Sequence, residues 1–116
     1  MTPEQIIETQ VSKLRDELTE SWKNFDKIED IACEIMGVGK DRIRGKCRET
    51  EFTWARYFVW SAMIKKGVTY DSIGMVYNRC HSAVLHGLQR VKKLRSINDK
   101  EFTTLYGKFT EAIEGL

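Results

Sequence analysis

The sequence predicts an all-α fold, on three observations. Its 116 residues hold one proline, Pro3, at the very start, so no interior segment is barred from helix. Apolar residues recur at spacings of three and four, and Val, Ile and Thr nowhere alternate with polar residues over a long run. A composition of 41% hydrophobic and 31% charged residues supplies one modest core and argues against disorder. A chain of this length makes one globular domain and leaves no room for a separate catalytic one.

Residues 1–26 are expected to form a separate N-terminal segment, a long amphipathic helix over residues 3–25. Thr2 caps it, Pro3 takes the first helical position and Glu4 lies in the first turn. Ile7, Val11, Leu14, Leu18, Trp22 and Phe25 make an apolar stripe, opposed by Glu8, Lys13, Asp16, Glu17 and Glu20. The stripe has two destinations, packing on the rest of the domain or a short homodimer seam, and it covers too few heptads to choose.

Residues 27–116 carry the remaining elements. A helix over residues 27–36 gathers Ile28, Ile31, Ala32 and Ile35 on one side, and Gly37 and Gly39 stop it. Asp41 is expected to cap a short turn, residues 41–45, in a stretch holding the cations Arg42, Arg44 and Lys46. Residues 47–51 read as a charged loop. From Phe52 or Thr53 to Ile64 the chain is apolar nearly all round, which predicts the central buried helix. Its Trp54, Tyr57, Phe58 and Trp60 are expected in the core rather than as a base-stacking platform. Arg56 is the one charge inside, with Glu49 or Glu51 as its expected partner if it serves the fold. Lys65-Lys66-Gly67 ends the helix with cations at its negative pole.

The next helix spans residues 69–77, with Ile73 and Val76 inward and Gly74 allowing close approach of a neighbour. Asn78-Arg79 makes a turn. His81 or Ser82 opens a further helix whose inner face is Val84, Leu88, Val91 and Leu94, and Asn98-Asp99 breaks it. A last helix over residues 101–113 presents Phe102, Leu105, Tyr106, Phe109 and Ile113.

Charge is unevenly spread. Residues 1–34 hold four Lys/Arg against nine Asp/Glu, residues 35–95 thirteen against four, and residues 96–116 two against four. A basic middle between acidic ends suits a polyanion. The basic block coincides with helix, tight turn, and a helix that begins with small polar residues and ends in cations, the pattern of a helix-turn-helix. On the second helix Ser82, Leu85, His86, Gln89 and Lys93 lie away from the inner face. His81 and Ser82 can reach base edges. Gln89, Arg90 and Lys93 can reach flanking phosphates, and His86 is either a contact or an ordinary helix residue.

The run Arg79-Cys80-His81-Ser82-Ala83-Val84-Leu85-His86 resembles the signature of the C-terminal, origin-binding domain of the bacterial replication initiator DnaA. That family carries Arg-Asp-His-Ser/Thr-Thr-Val, then an apolar residue and His or Tyr. Ala55-Arg56 resembles its Ala-Arg-Gln stretch, Ser72-Ile73-Gly74 its Glu-Ile-Gly, and the basic segment from Arg42 to Arg48 its basic loop in position. The similarity covers roughly residues 27–110. The resemblance implies a Trp-repressor-like bundle with a helix-turn-helix that binds double-stranded DNA. It nominates His81 and Ser82 for bases, and Arg79 and Arg56 for phosphate or structural support. Lys46 or Arg48 becomes the minor-groove cation, and Lys65 and Lys66 backbone contacts. The family's Asp is Cys80 here and its second Thr is Ala83, which removes an acceptor and a hydroxyl.

No Walker-type glycine-lysine loop is present, so ATP-driven loading is not expected, and no nucleophile–base pair or carboxylate cluster marks an enzyme. Cys80, His81 and His86 lack metal-ligand spacing, and no cofactor is expected. A replication or transcription protein is a second expected partner, docked by the acidic N-terminal helix. The start shows no apolar signal segment and no run is long enough to span a membrane. The three cysteines, Cys33, Cys47 and Cys80, are odd in number and widely spaced, which fits a reducing, cytoplasmic setting.

Overall fold

The computed structural model describes residues 20–116, and among these the chain is helical with no strand. After the helical residues Glu20 and Ser21 and a turn over residues 22–24 come six helices. They are α1 (Phe25–Met36), α2 (Lys40–Ile43), α3 (Thr50–Lys65), α4 (Tyr70–Tyr77), α5 (His81–Ser96) and α6 (Lys100–Ala112). No helix among the described residues is long and apolar enough to cross a membrane.

Most of the expected N-terminal helix and its dimer seam lie outside the described residues. Its C-terminal end does not: the helix stops at Ser21 instead of running to Phe25. Asn24 adopts a left-handed conformation (φ 66°), which asparagine tolerates better than most residues. The reversal stacks Trp22 edge-on to Phe25 (centroids 4.8 Å apart) and sets Phe25 near the Tyr77 ring (6.5 Å). Phe25 thus belongs to α1, which begins two residues earlier than the sequence suggested.

The core forms around α3, which packs against α1, α4, α5 and α6. Ala55, Phe58, Val59 and Met63 are completely buried. Phe58 stacks on Phe109 of α6 (5.3 Å, 21°) and meets Phe102 and Tyr106 as well. Of the four aromatic residues expected in the core, Phe58 and Trp60 are buried and Trp54 and Tyr57 pack half-buried against it, and α3 starts at Thr50 rather than Phe52 or Thr53 because Glu49 is the last extended residue. The cap expected from Asp41 is absent. α2 starts after Gly39 without a side-chain bond, and Lys40 is held instead by Asp30 (2.9 Å). α6 is capped by Asp99, whose carboxylate accepts from the Phe102 amide at 2.9 Å.

One crossing depends on a missing side chain. A Cβ on Gly87 of α5 would lie 2.8 Å from ring carbons of both Trp60 and Tyr57, so the α5 backbone lies directly against these two side chains of α3.

Two charged side chains are buried in this core. Glu29 of α1 is wholly buried, and its carboxylate accepts from Arg44 Nε (3.1 Å), Arg44 Nη2 (2.6 Å) and the Tyr77 hydroxyl (2.7 Å). Arg44 also lies over the Phe25 ring, 5.2 Å from its centroid. Burial, and then the adjacent Glu29 charge, push the Tyr77 phenol well above its ordinary range, so it stays a donor. Arg44, one of the cations of the basic stretch, stays on the surface and is at the same time the counter-charge of a buried carboxylate that periodicity did not reveal. The second buried charge, Arg56 of α3, bonds to the loop that follows α2.

Burial, with Glu29 and Asp30 close by, also pushes the Cys33 thiol up from 9.0 to about 11. In the unfolded chain the thiol ionises near its ordinary value, and in the fold it resists. Its contribution is therefore complete below about pH 9 and is lost as pH rises towards 11, a fall approaching about 3 kcal/mol. Urea unfolding at pH 8, 9.5 and 10.5 should show this slope, and it should flatten in Cys33→Ala. Tyr77 adds loss of the same sign at higher pH.

Candidate nucleic-acid interface

The α4–turn–α5 unit is assembled from local bonds. The Thr69 hydroxyl oxygen accepts from the Ser72 amide (3.2 Å) and caps α4. Asn78, left-handed at φ 52°, ends it. The Arg79 amide then donates back to the Gly74 carbonyl at 2.7 Å. A Cβ at Gly74 would overlap the Arg79 carbonyl oxygen, so the tight turn needs glycine there. α5 leaves the turn with Val84, Gly87, Val91 and Leu94 buried, while Leu88 is half-buried. Tyr77 is fully buried and Val76 only partly, so the inward face of α4 is turned relative to the expectation.

The opposite face of α5 is polar and exposed. His81 and Ser82 are exposed at its tip, and His86, Gln89, Arg90 and Lys93 follow along a helix about 24 Å long. The His81 imidazole is fixed on two sides. Its Nδ1 lies 3.1 Å from a carboxylate oxygen of Asp71, and its ring meets the Tyr70 ring edge-on at 5.3 Å.

Beside this tip lies a basic groove. Arg56 is 4% exposed, and it donates to the Ile43 carbonyl (2.6 Å) and the Gly45 carbonyl (2.9 Å). Arg79 donates to the same Gly45 carbonyl at 2.7 Å and also to the Tyr77 carbonyl. Two guanidinium groups, one from α3 and one from the α4–α5 turn, thereby clamp the loop that follows α2. The clamp places Lys46 and Arg48 in one groove with Thr53, Asn78 and Arg79. Burial, and the neighbouring Arg79 charge, lower the Arg56 pKa below its ordinary value. Of the two roles expected for Arg56, structural support is the one these carbonyl bonds supply. It makes no pair with Glu49 or Glu51; carbonyls inside the fold replace them.

The remaining candidates stand elsewhere. Lys65 lines a second cleft, with Lys92 and Arg95, where its Nζ is 3.4 Å from the Tyr106 hydroxyl. Arg95 and Lys65 both lie over the Tyr106 ring, at 5.1 and 5.8 Å. The Tyr106 hydroxyl is paired with Ser61 Oγ at 2.8 Å. Lys66 is half-buried and donates to the Leu116 carbonyl. Ion pairs among the described residues engage Lys40, Arg44 and His81, and none involves Lys46, Arg48, Arg90 or Lys93.

Sequence reasoning missed Asp71 and Tyr70, which hold His81. No periodicity could have found them, because they sit across the turn, ten and eleven positions upstream of the imidazole. The second cleft escaped because Lys92 and Arg95 meet Lys65 only when α3 and α5 pack.

The class of molecule so defined is an all-α domain with a polar helix tip, a cationic helix flank and a basic groove beside them. Compared with models of protein families, with curated proteins and with solved structures, the chain matches none.

Proposed function

We propose that the chain binds double-stranded DNA, with α4 and α5 acting as a helix-turn-helix of the kind found in the origin-binding domain of DnaA. The observation that carries this reading is the exposed His81–Ser82 tip of α5, flanked by cations and coupled through Arg79 to a basic groove. In this reading α5 enters the major groove tip first. His81 and Ser82 meet base edges, and Gln89, Arg90 and Lys93 meet phosphates on either side. Lys46 or Arg48 reaches the adjacent minor groove from the clamped loop. Arg79 and Arg56 hold that loop in register with α5, so both grooves are addressed by one rigid unit. The protein acts without hydrolysing ATP, in replication initiation or a related control of DNA. Cys80 and Ala83 replace two polar side chains of the family signature, so either its target departs from the DnaA box or its sequence preference is weak.

A binding titration with duplex DNA tests this. With about five phosphate contacts, raising salt from 50 to 200 mM should weaken binding about 500-fold. Replacing Lys93 by Ala should weaken all sequences alike and lower the salt slope by about one. Replacing His81 and Ser82 by Ala should relax sequence preference, and each good base pairing so removed should cost about 1–3 kcal/mol in discrimination. Binding that is absent at low salt, or indifferent to added salt, would refute the proposal.

A further inference from the structure

In α5 read as a recognition helix, His81 can present either a donor or an acceptor to a base. An imidazole has two ring nitrogens, and the bond made by one decides the state of the other. A carboxylate is an acceptor only, so a nitrogen facing it must carry the proton. His81 Nδ1 faces the Asp71 carboxylate at 3.1 Å. In the neutral ring Nε2 is then left as a bare acceptor, the reverse of the tautomer a free imidazole prefers. Nε2 makes no hydrogen bond to any described residue, and the ring is about half exposed. The Tyr70 ring packs against the imidazole, 5.3 Å away and nearly perpendicular. A surface pair of this sort contributes little to stability. A tautomer ratio, however, moves several-fold with an energy of that size.

We propose that Asp71 is a specificity-determining residue: it holds His81 as the Nδ1–H tautomer, so that Nε2 accepts from the exocyclic amine of adenine or cytosine in the major groove. Guanine, which offers only N7 and O6 acceptors on that edge, is disfavoured at the same position. This inference rests on the DNA-binding reading above. Asp71 touches no base itself; it acts by positioning the proton on His81.

The test pairs wild type with Asp71→Asn. A carboxamide fills the same space but can offer either its oxygen or its NH2, so it no longer dictates the tautomer. Removing a negative charge near DNA will tighten binding to every sequence, so the readout is preference and not affinity. Selection from random duplexes should give an amine-bearing base over guanine by about five- to tenfold at the position whose preference disappears in His81→Ala. In Asp71→Asn that preference should vanish or turn towards guanine. In a His81→Ala background, Asp71→Asn should leave base preference unchanged.

Nitrogen-15 spectra of the DNA-free protein at pH 8 read the tautomer directly. With two histidines in the chain, His81→Ala assigns the signals. The expected result is Nδ1–H in wild type and mainly Nε2–H in Asp71→Asn. An imidazolium or an Nε2–H ring in wild type, or a base preference unmoved by Asp71→Asn, overturns the inference. Nδ1–H together with no duplex bound in any variant also overturns it, and assigns the failure to the DNA-binding function rather than to the Asp71–His81 pair.

Discussion

Gly74→Ala is expected to destabilise the domain by about 2–3 kcal/mol, although alanine is the better helix former. The added methyl would overlap the Arg79 carbonyl oxygen, which is backbone and is itself fixed by the Arg79 amide bonding to Gly74 at 2.7 Å. Relief requires opening the turn between α4 and α5. That moves the start of α5, and through Arg79 it loosens the hold on the Gly45 carbonyl. The control is Gly107→Ala in α6, where a Cβ would meet nothing within 4 Å. There the same substitution should stabilise, by up to about 1 kcal/mol. For a domain of this size Gly74→Ala should lower Tm by about 10–20 °C. Thermal melts of the two variants check the pair. Equal effects of the same sign would show that the turn is not closed in solution.

Glu29→Leu should cost about 3 kcal/mol. Its carboxylate is fully buried and receives three hydrogen bonds. Arg44 can turn to water, since its side chain is 45% exposed. The Tyr77 hydroxyl cannot, and an unpaired buried donor costs about 1–3 kcal/mol, to which misfit of the new side chain adds. Adding Tyr77→Phe removes the orphaned hydroxyl. The double variant should therefore recover about 1 kcal/mol or more relative to the sum of the single ones, because an apolar pair of matched shape replaces the ionic one. Urea unfolding of the four proteins at pH 7 gives the cycle. A cost below about 1 kcal/mol for Glu29→Leu would mean the carboxylate is not enclosed in solution.

These two residues show where one-dimensional reading succeeds and fails. Gly74 was legible: a glycine amid helix-forming residues next to a turn signal marks a close approach. Gly87, at the crossing of α5 with α3, was not singled out, because nothing local says that Trp60 and Tyr57 arrive there. Glu29 was invisible for the same reason. In sequence it is one acid among several on an acidic helix, and only its meeting with Arg44 and Tyr77 turns it inward. Arg56 could be seen as anomalous, a lone charge in an apolar helix, but its expected carboxylate partners proved to be carbonyls of the α2–α3 connection. The tip of α5 was foreseen as exposed, whereas the Asp71 carboxylate beside it was not.

By itself the chain determined that it is helical, where most helices lie, and which helix is central, since periodicity and helix-breaking residues act within a few positions along the backbone. It also determined that cations concentrate in the middle of the chain. Only the tertiary structure decided which of those cations bond to groups of the fold, as the exposed Arg44 and the buried Arg56 do, and which stand exposed without an ion pair among the described residues, as Lys46, Arg48, Arg90 and Lys93 do. The physical reason is that a charge is satisfied by whatever comes within about 3 Å of it. Groups many residues apart reach that distance only when helices pack.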